Sequence, residues 1–434
     1  MREFRTVRGM RDFLPEEASV MKHIENRARN VAQSFGYKEI VTPLVESYEL
    51  LATKAGEEVR LRMFAFKDMG GRMVALRPEF TPSVARLVAT SLRNEPRPLR
   101  LFCLGSLYRY DEPQRGRYRE FWQSDFELIG SGRPEADAEI MLLTHSLLSS
   151  LRLRNWYFKV GHVGILRGVL NGEGLDEKTQ NSVLQLMDKR RYEDAFSVVR
   201  DCGPSKGCLT VLRNLVEIGS GRVSEAVEKI KGCVEAYGEA LVAAENLGQI
   251  LSLVVESECN VDLRVEAGFA RGLEYYTGMI FEAYVPELNV SLTGGGRYDK
   301  LVELFGGEPT PAVGVAPGLN TIMLAMHDQK VGLEEAKGKS VVVISVGDEN
   351  RAVALQFSSM LRSAGMRVEF EVMGRRMNKA LEDADRRRID YAVIVGKKEL
   401  EHGEVILRDL VRRQQVSIKV EKLVESVRGC QDCE

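Results

Sequence analysis

Hydrophobic residues in the first third of the chain change between helical and alternating spacing. From about residue 16 to residue 35 they recur every three or four positions, which predicts an amphipathic helix with Val20, Ile24, Ala28 and Val31 on one face. Alternation then predicts short strands at 38–41, 64–67 and 73–76. A second helix is expected near Pro82, because proline suits the first turn of a helix.

Two longer alternating runs, 101–110 and 121–129, flank a polar and arginine-rich loop and predict an antiparallel hairpin. Helical spacing and many charges dominate from about 162 to 258, after which strands are predicted near Leu263 and at 279–284 and 289–293. Strands on both sides of a helical stretch predict an α+β domain with an antiparallel sheet, interrupted by a helical insertion at approximately 160–260.

The last hundred residues follow a different pattern. A polar stretch at 327–339 is typical of a linker, and it separates a domain at 1–326 from one at 340–434. Beyond it, apolar strands alternate with helices, and this alternation predicts a small parallel α/β domain. The predicted elements are strands 340–346, 367–372 and 391–395 and helices 350–364 and 376–388.

Composition places the chain among soluble globular proteins. Its 434 residues are too many for one ordinary core, and 44% are hydrophobic while 29% are charged. No run of about 18 apolar residues is present, and the first residues lack the apolar core of a signal peptide, so we expect a cytoplasmic protein without membrane association. A net charge of −2 provides no overall attraction to nucleic acid, so RNA binding requires local basic patches.

The seven cysteines do not suggest a disulfide scaffold, because their number is odd and their spacing irregular. Cys430 and Cys433 form a CxxC pair, and Cys202 lies near Cys208. Either pair would supply only half of the ligands of a zinc site, because a complete structural site needs four. With five scattered histidines, reduced thiols are the favoured interpretation and no metal site is predicted.

The octapeptide 271–278, Arg-Gly-Leu-Glu-Tyr-Tyr-Thr-Gly, combines a permanent cation with two phenols between two glycines. The planar fork of Arg271 suits a carboxylate or phosphate, and Tyr275 and Tyr276 add hydroxyl groups. This combination is typical of a site for a small anionic ligand. The alternative is an ordinary tyrosine-rich strand with a surface arginine.

The predicted hairpin carries further polar groups. A period of two places Phe121, Gln123, Asp125 and Glu127 on one face of its second strand, a composition unlike that of a core face. Arg109 and the loop arginines are suited to phosphate oxygens. A solvated, charged hairpin is the alternative.

Two shorter motifs also suggest a ligand site. Glu79 lies between two prolines at a strand-to-helix turn, where it either receives an ammonium group or caps the helix. The run Gly294–Gly296 would let a ligand lie flat against a strand, although it fits neither a Walker loop nor a dinucleotide fingerprint.

These pieces, in this order, resemble a class II aminoacyl-tRNA synthetase, and the segment 271–276 resembles the histidine-specific family. The resemblance covers nearly the whole chain, and the domain 340–434 resembles the anticodon-binding domain of class IIa synthetases. The matching segments are Gly9–Asp12 with the helix and strand up to Pro43 (the family's opening and dimer-forming motif 1), Tyr108–Glu127 (motif 2), Thr293–Asp299, and Pro311–Val315 with the helix after it (motif 3).

The resemblance implies a ligase that uses ATP to activate L-histidine as histidyl-adenylate and then transfers it to tRNA(His), releasing AMP and diphosphate. It also implies Mg²⁺ on the polyphosphate and a homodimer. Carried over by position, it assigns catalysis to Arg109 and Arg271. It assigns histidine binding to Glu79, Thr81, Arg109, Gln123, Glu127, Arg271, Tyr275 and Tyr276, ATP binding to Arg109, Asp111, Arg117 and Phe121, and contact with the tRNA acceptor end to Gln114 and Arg115.

Within that assignment the α-ammonium group and the imidazole of histidine have separate partners. Glu79, Thr81 and Gln123 would hold the ammonium group. Glu127 and Tyr276 would address the two imidazole nitrogens, and Tyr275 would complete the pocket.

The chain departs from the family pattern at two positions. Asp111 stands where motif 2 usually has glutamate, and Thr321 aligns with the motif 3 arginine that covers adenine opposite Phe121. Loss of that arginine removes a contact of about 0.5–2 kcal/mol, so we expect weaker ATP binding than in relatives that retain it.

Two alternatives without catalysis remain from the sequence: a paralogue such as the regulatory subunit of ATP phosphoribosyltransferase, and an RNA-binding regulatory domain. The presence of Arg109, Arg271, Glu79 and Gln123 favours the enzyme over both.

Overall fold

A computed structural model describes residues 4–205, 207–219, 221–271, 273–332 and 339–429. The chain divides into two compact units, Met1–Leu333 and Glu334–Glu434, and each has its own buried hydrophobic core. Cys430 and Cys433 lie outside the described residues. Within the described part Cys202 and Cys208 are free thiols, one exposed and one buried, and no group of three or more His, Cys, Asp or Glu is arranged to hold a metal ion.

The first unit is organised around an eight-stranded sheet with the order β1-β5-β6-β11-β10-β9-β7-β8. Its strands are β1 Lys38–Glu39, β5 Leu99–Tyr108, β6 Glu120–Ile129, β7 Tyr157–His162, β8 Leu263–Val265, β9 Met279–Val285, β10 Val290–Arg297 and β11 Ala312–Pro317. The predicted hairpin is confirmed, because β5 and β6 pair antiparallel from Leu99 opposite Ile129 to Tyr108 opposite Glu120. The central strands are antiparallel, and the edge pairs β1–β5 and β7–β8 are parallel.

The N-terminal helix and the small strands lie beside this sheet. The predicted helix is confirmed, with Ile24, Ala28 and Val31 among its buried residues. A three-stranded sheet of order β2-β4-β3 precedes the turn that carries Glu79. The elements are α1 Pro15–Ser34, β2 Val45–Ser47, α2 Tyr48–Ala52, α3 Glu57–Leu61, β3 Ala65–Lys67, β4 Met73–Leu76 and α4 Thr81–Ala89.

The predicted helical insertion is present between β7 and β8, where the described residues form six helices. Helix α11 is long and apolar enough by composition to cross a membrane, but Leu247, Ile250, Leu251 and Val254 are buried where it packs on α5, α6 and α10. Packing therefore accounts for the apolar side chains on this face of the helix. The helices of the insertion and its surroundings are α5 Pro134–Ser150, α6 Val163–Gly172, α7 Glu177–Asp188, α8 Tyr192–Asp201, α9 Cys208–Glu217, α10 Val223–Val234, α11 Gly238–Glu256, α12 Leu301–Leu304 and α13 Leu319–Asp328.

The second unit contains a five-stranded sheet of order β13-β12-β14-β15-β16. The predicted parallel arrangement is confirmed for β13, β12 and β14, and two strands that were not predicted, β15 and β16, extend the sheet with antiparallel pairs. Strand β16 is almost entirely exposed, so it carries no buried apolar alternation that would reveal it. The elements are β12 Ser340–Ser345, α14 Arg351–Ser363, β13 Arg367–Phe370, α15 Met377–Arg386, β14 Tyr391–Val395, α16 Lys397–Glu401, β15 Glu404–Asp409, β16 Gln414–Lys419 and α17 Leu423–Arg428.

Candidate active site

A cavity of about 450 Å³ lies in the first unit, against β6, β10 and β11 of the large sheet. The structure brings together most of the predicted site residues on its wall. Gln114 and Arg115 are exposed and do not line it. The predicted residues that do line it are Glu79, Thr81, Arg109, Asp111, Arg117, Phe121, Gln123, Glu127, Arg271, Tyr275 and Tyr276.

Strand β6 contributes the floor of the cavity. Its period of two directs Gln123, Asp125 and Glu127 toward the cavity, and the two carboxylates are only 1% and 2% exposed. The solvated-hairpin alternative is therefore wrong for this strand. The hydroxyl of Thr81 donates to Oε1 of Glu127 at 2.7 Å, and the hydroxyl of Tyr298 donates to Oε2.

A glycine on the neighbouring strand makes room for the Glu127 carboxylate. Gly314 on β11 is directly opposite Glu127 in the strand register. A Cβ at that position would lie 1.7 Å from Oε2 of Glu127, far inside van der Waals contact. Only glycine fits beside this carboxylate in its present position.

The turn before α4 carries Glu79 and also binds the side chain of Arg109. The hydroxyl of Tyr275 donates to Oε2 of Glu79 at 2.9 Å, and α4 has no side-chain cap, so capping is not the role of Glu79. Arg109 donates from Nε to the carbonyl oxygen of Pro78 at 2.9 Å, and its guanidinium carbon lies 5.2 Å from the centre of the Phe121 ring. These contacts fix one cation beside the Glu79 turn.

Arg271 and residues 273–276, the described part of this segment, do not form a strand, so the alternative of a tyrosine-rich strand is wrong. Tyr275 and Tyr276 form part of a turn and its exit, both are buried, and their ring centres are 4.9 Å apart. Arg271 donates from Nη1 to Oε1 of Glu282 on β9 at 2.7 Å. Arg271, the second cation of the site, is therefore anchored to the sheet and does not extend freely into solvent.

The glycine run lies within β10, which continues to Arg297, and not beyond the end of a strand as predicted. The glycines of this run leave room for the side chains of Arg271 and Tyr276. A Cβ on Gly294 would meet the guanidinium group of Arg271 at 2.0 Å, and a Cβ on Gly296 would come within 2.9 Å of the Tyr276 ring. The expected flat surface for a ligand is thus covered by two residues of the octapeptide.

Burial dominates the electrostatics of the three carboxyl groups in the cavity. Desolvation raises the pKa of Glu127 to about 7, although the Tyr298 and Thr81 hydroxyls oppose the rise by donating to the charged form. Burial also raises the pKa of Glu79, against the attraction of Arg109. The pKa of Asp125 lies well above its ordinary value, because of burial and then of repulsion by Glu127. A cationic or hydrogen-bond-donating ligand would relieve this cost.

Several polar atoms on the cavity wall are buried without a hydrogen-bond partner among the described residues. Such atoms are rare in folded proteins, and their concentration in one cavity indicates a place for a polar ligand. They are Oε1 of Glu79, Oε1 of Gln123, Oδ1 of Asp125, Nε of Arg271, Oγ1 of Thr293 and Nδ2 of Asn320.

Several residues of the site are not among those predicted from the sequence, and four of them make contacts that shape it. Tyr298 holds Glu127, Glu282 holds Arg271, and Oδ1 of Asn320 accepts from the backbone N–H of Trp122. Arg62 also lines the cavity and donates to Asp111 at 3.1 Å. Tyr298 belongs to the segment Thr293–Asp299 that carries part of the family resemblance, and this is the available signal for it.

Thr321 lies on the cavity wall at the start of α13. Its hydroxyl donates to the carbonyl oxygen of Gly318 at 2.8 Å, so this hydroxyl is already hydrogen-bonded within its own helix turn. Gly116 of the hairpin loop is close to Thr321 and Leu324, since a Cβ on it would lie 3.8 Å from Cγ2 of Thr321 and 3.1 Å from Cδ2 of Leu324. The threonine therefore lies where the hairpin loop covers the cavity.

Known proteins share both units of the chain. A family model described as histidyl-tRNA synthetase matches residues 9–322, and one described as anticodon binding domain matches residues 340–429. A histidine–tRNA ligase of Methanocaldococcus jannaschii is 40% identical over 423 residues, covering 97% of this chain and 98% of the relative. One from Saccharolobus solfataricus is 36% identical over 431 residues, covering 99% of each.

Solved structures agree on the fold. The histidyl-tRNA synthetase of Nostoc sp. PCC 7120 superposes with a TM-score of 0.80 at 22% identity, covering 99% of this chain and 100% of its own. A protein of Bacillus halodurans C described as an ATP phosphoribosyltransferase regulatory subunit/histidyl-tRNA synthetase has a TM-score of 0.78 at 26% identity, covering 91% of this chain and 99% of its own. Fold, motif order and sequence identity lead to one conclusion. The chain belongs to the histidyl-tRNA synthetase family.

Proposed function

We propose that this chain is a histidine–tRNA ligase, which activates L-histidine with ATP and transfers it to tRNA(His). The observation that carries the proposal is the cavity itself. Buried carboxylates at Glu79 and Glu127 line the same cavity as two anchored cations, Arg109 and Arg271. This arrangement suits a small zwitterion that must present its carboxylate to a phosphate.

Each end of histidine has candidate partners of matching chemistry. Glu79, Thr81 and Gln123 would receive the α-ammonium group, and the unpartnered Oε1 atoms of Glu79 and Gln123 support this role. Glu127 and Tyr276 would pair with the two imidazole nitrogens, while Tyr275 closes the pocket. A pocket that pairs both nitrogens rejects ligands lacking them, because its buried polar groups are then left unpaired.

The first step joins a carboxylate oxygen of histidine to the α-phosphorus of ATP, and the bond from that phosphorus to the bridging oxygen of diphosphate breaks. Negative charge spreads over the α-phosphate oxygens in the transition state. Arg109 and Arg271 would stabilise it, since preorganised donors act most strongly where charge develops. In the second step a ribose hydroxyl of the tRNA attacks the histidyl carbonyl carbon, and AMP leaves.

ATP would lie between the hairpin and the arginines. Phe121 would stack on adenine, Asp111 would contact its edge, and Arg117 would reach the terminal phosphate. Mg²⁺, when bound, neutralises charge on the leaving diphosphate. Both carboxylate oxygens of Glu282 already face cations, and no group of three or more metal-ligating side chains is present among the described residues, so the ion would be held largely by phosphate oxygens and water.

The tRNA would contact both units. Gln114 and Arg115 are exposed on the hairpin loop, outside the cavity, where they would meet the acceptor end. Residues 340–434 would bind the anticodon, while 1–326, with the insertion at approximately 160–260, would form the catalytic domain and 327–339 the linker.

A homodimer in the cytoplasm completes the proposal. Large apolar side chains are exposed around motif 1 and the small sheet, and Val41 is 90% exposed. Exposed apolar side chains of this kind are typical of a protein interface. The others in this stretch are Leu44, Val45, Leu61, Phe66, Met69 and Met73. Sedimentation of the parent as a monomer at micromolar concentration would contradict this part.

Histidine-dependent exchange between ATP and diphosphate tests the activation step. We expect exchange with histidine and none with other amino acids. If the purified protein shows no exchange and instead forms a complex with an ATP phosphoribosyltransferase, it is a regulatory subunit and the proposed function is wrong.

A further inference from the structure

Three neighbouring strands place one residue each in a row beside Arg271. Lys159 on β7 is directly opposite Glu282 on β9, and Glu282 is directly opposite Gly294 on β10. Residues in register across a sheet have side chains on the same face, only about 5 Å apart. The sheet therefore fixes the positions of these three residues relative to one another.

The guanidinium group of Arg271 is held against this row from two directions. Nη1 donates to Oε1 of Glu282 at 2.7 Å. The plane of the group lies over Gly294, because a Cβ there would be 2.0 Å from Nη1, 2.3 Å from Nη2 and 2.4 Å from the central carbon. Its Nε is buried and has no hydrogen-bond partner among the described residues, and the residue lines the cavity.

Lys159 completes the row on the other side of Glu282. Its ammonium group lies 3.4 Å from Oε2 of Glu282, and it lies 4.6 Å from the centre of the Phe269 ring. An arginine paired with one carboxylate forms a neutral couple and attracts an anion weakly. A second cation on the same carboxylate gives these three residues a net charge of +1, which offsets the further negative charge of Asp188 near Arg271.

We propose that Glu282, Lys159 and Gly294 are positioning residues that fix the Arg271 guanidinium over the reacting α-phosphate. Glu282 fixes the distance of the guanidinium group from β9, and Gly294 provides the surface on which that group lies. Lys159 maintains the positive charge around Arg271. This inference rests on the proposed function, because it assigns to Arg271 the stabilisation of charge in histidyl-adenylate formation.

The test measures histidine-dependent ATP–diphosphate exchange for Glu282→Gln, Lys159→Met and Gly294→Ala, each alone and combined with Arg271→Ala. Misplacing a reacting group by about 1 Å costs on the order of 100-fold in rate, so we expect each single change to lower kcat by about 10–100-fold. The KM for histidine should change by less than about twofold, since the imidazole and ammonium partners are untouched.

The combined variants distinguish positioning from a general structural role. If the three residues act through Arg271, none of them should lower kcat further by more than about twofold once Arg271 is alanine, because interacting sites are not additive. Gly294→Ala is the sharpest case, since removing the guanidinium group also removes its clash. Independent structural damage would instead multiply the two losses, and that result would overturn the proposal.

A matched control removes a carboxylate elsewhere. Glu139 forms a two-point ion pair with Arg100, at 2.7 Å for each contact, away from the cavity. Glu139→Gln should keep the parental kcat even where its thermal stability falls as much as that of Glu282→Gln.

The outcomes separate the two proposals. A parent without exchange contradicts the proposed function and this inference with it. An active parent and a slow Arg271→Ala, together with Glu282→Gln and Gly294→Ala at the parental rate, contradict the positioning role alone.

Discussion

Tyr298 donates a hydrogen bond to Glu127 at the floor of the cavity, joining the residue after β10 to the C-terminal part of β6. Thr81 donates to the other carboxylate oxygen at 2.7 Å. Two donors hold the carboxylate in one orientation and favour its ionised form, in opposition to burial. The group proposed to recognise imidazole is therefore oriented by neighbours before histidine arrives.

Replacing Tyr298 with phenylalanine should weaken histidine binding. Loss of a donor to the charged form raises the pKa of Glu127 further above 7, so more of it is protonated at neutral pH and fails to accept from imidazole. Removing one partner of a buried group costs about 1–3 kcal/mol, so the KM for histidine should rise about tenfold or more at pH 7. The ratio of variant to parental KM should fall as pH rises from 6.5 to 9.

The control for this variant is Tyr37→Phe, which removes a buried phenol that donates to Glu139 outside the cavity. It should leave the KM for histidine unchanged. An unchanged KM in Tyr298→Phe as well would show that the hydrogen bond has no part in recognition.

The raised pKa of Glu127 also predicts how stability depends on pH. An exposed glutamate has a pKa near 4.5 and the folded value is about 7, so between these values the folded state binds more protons than the unfolded state. Stability from this group is therefore lost as pH rises from about 4.5 to 7, by on the order of 3 kcal/mol.

Glu127→Gln removes that titration. The variant should gain thermal stability relative to the parent when both are compared at pH 8 and not at pH 5. A stability difference that is the same at both pH values would mean that Glu127 does not titrate in this range.

How much of this site the sequence reveals depends on the kind of signal. The period of two along β6 predicts Gln123, Asp125 and Glu127 on one face, and that face lines the cavity. The pattern does not show that the carboxylates are buried, because charged residues on a strand are ordinarily a sign of solvent. Their burial arises from neighbouring strands.

Relationships across the sheet are hidden from the sequence for the same reason. The contacts of Glu282 and Lys159 follow from strand register, and nothing in the local sequence of β7 or β9 reports which residues are opposite each other. The glycines of β10 carry no side-chain periodicity, so the predicted strand ends at Thr293, four residues before the observed end at Arg297.

Restoring the motif 3 arginine should strengthen ATP binding. Thr321 lies on the cavity wall below the hairpin loop, and an arginine there would gain a contact of about 0.5–2 kcal/mol with adenine and phosphate. We expect Thr321→Arg to lower the KM for ATP by about 2–30-fold in the exchange reaction. Thr321→Met, which adds bulk similar to that of arginine but no charge, should not lower the KM for ATP. Equal ATP affinity in Thr321→Arg and the parent would contradict the explanation.

The hairpin loop should affect transfer and not activation. Arg115 is exposed, outside the cavity, and 3.5 Å from Asp328. Arg115→Ala should lower the rate of tRNA charging by several-fold, the effect of about 1 kcal/mol from a lost phosphate contact, and leave exchange at the parental rate. Arg93→Ala, which removes another exposed arginine with an acidic partner, serves as the control. A parallel loss of exchange in Arg115→Ala would assign it to the activation site.

The most direct measurement is the attachment of labelled histidine to tRNA by the purified protein. The proposed function predicts that charging requires histidine, ATP and tRNA(His) together and forms one AMP for each histidyl-tRNA. It also predicts that Arg109→Ala, which removes the cation held beside Glu79, slows adenylate formation by orders of magnitude. A stable protein that forms no histidyl-tRNA with tRNA from a close relative of its source would contradict the account.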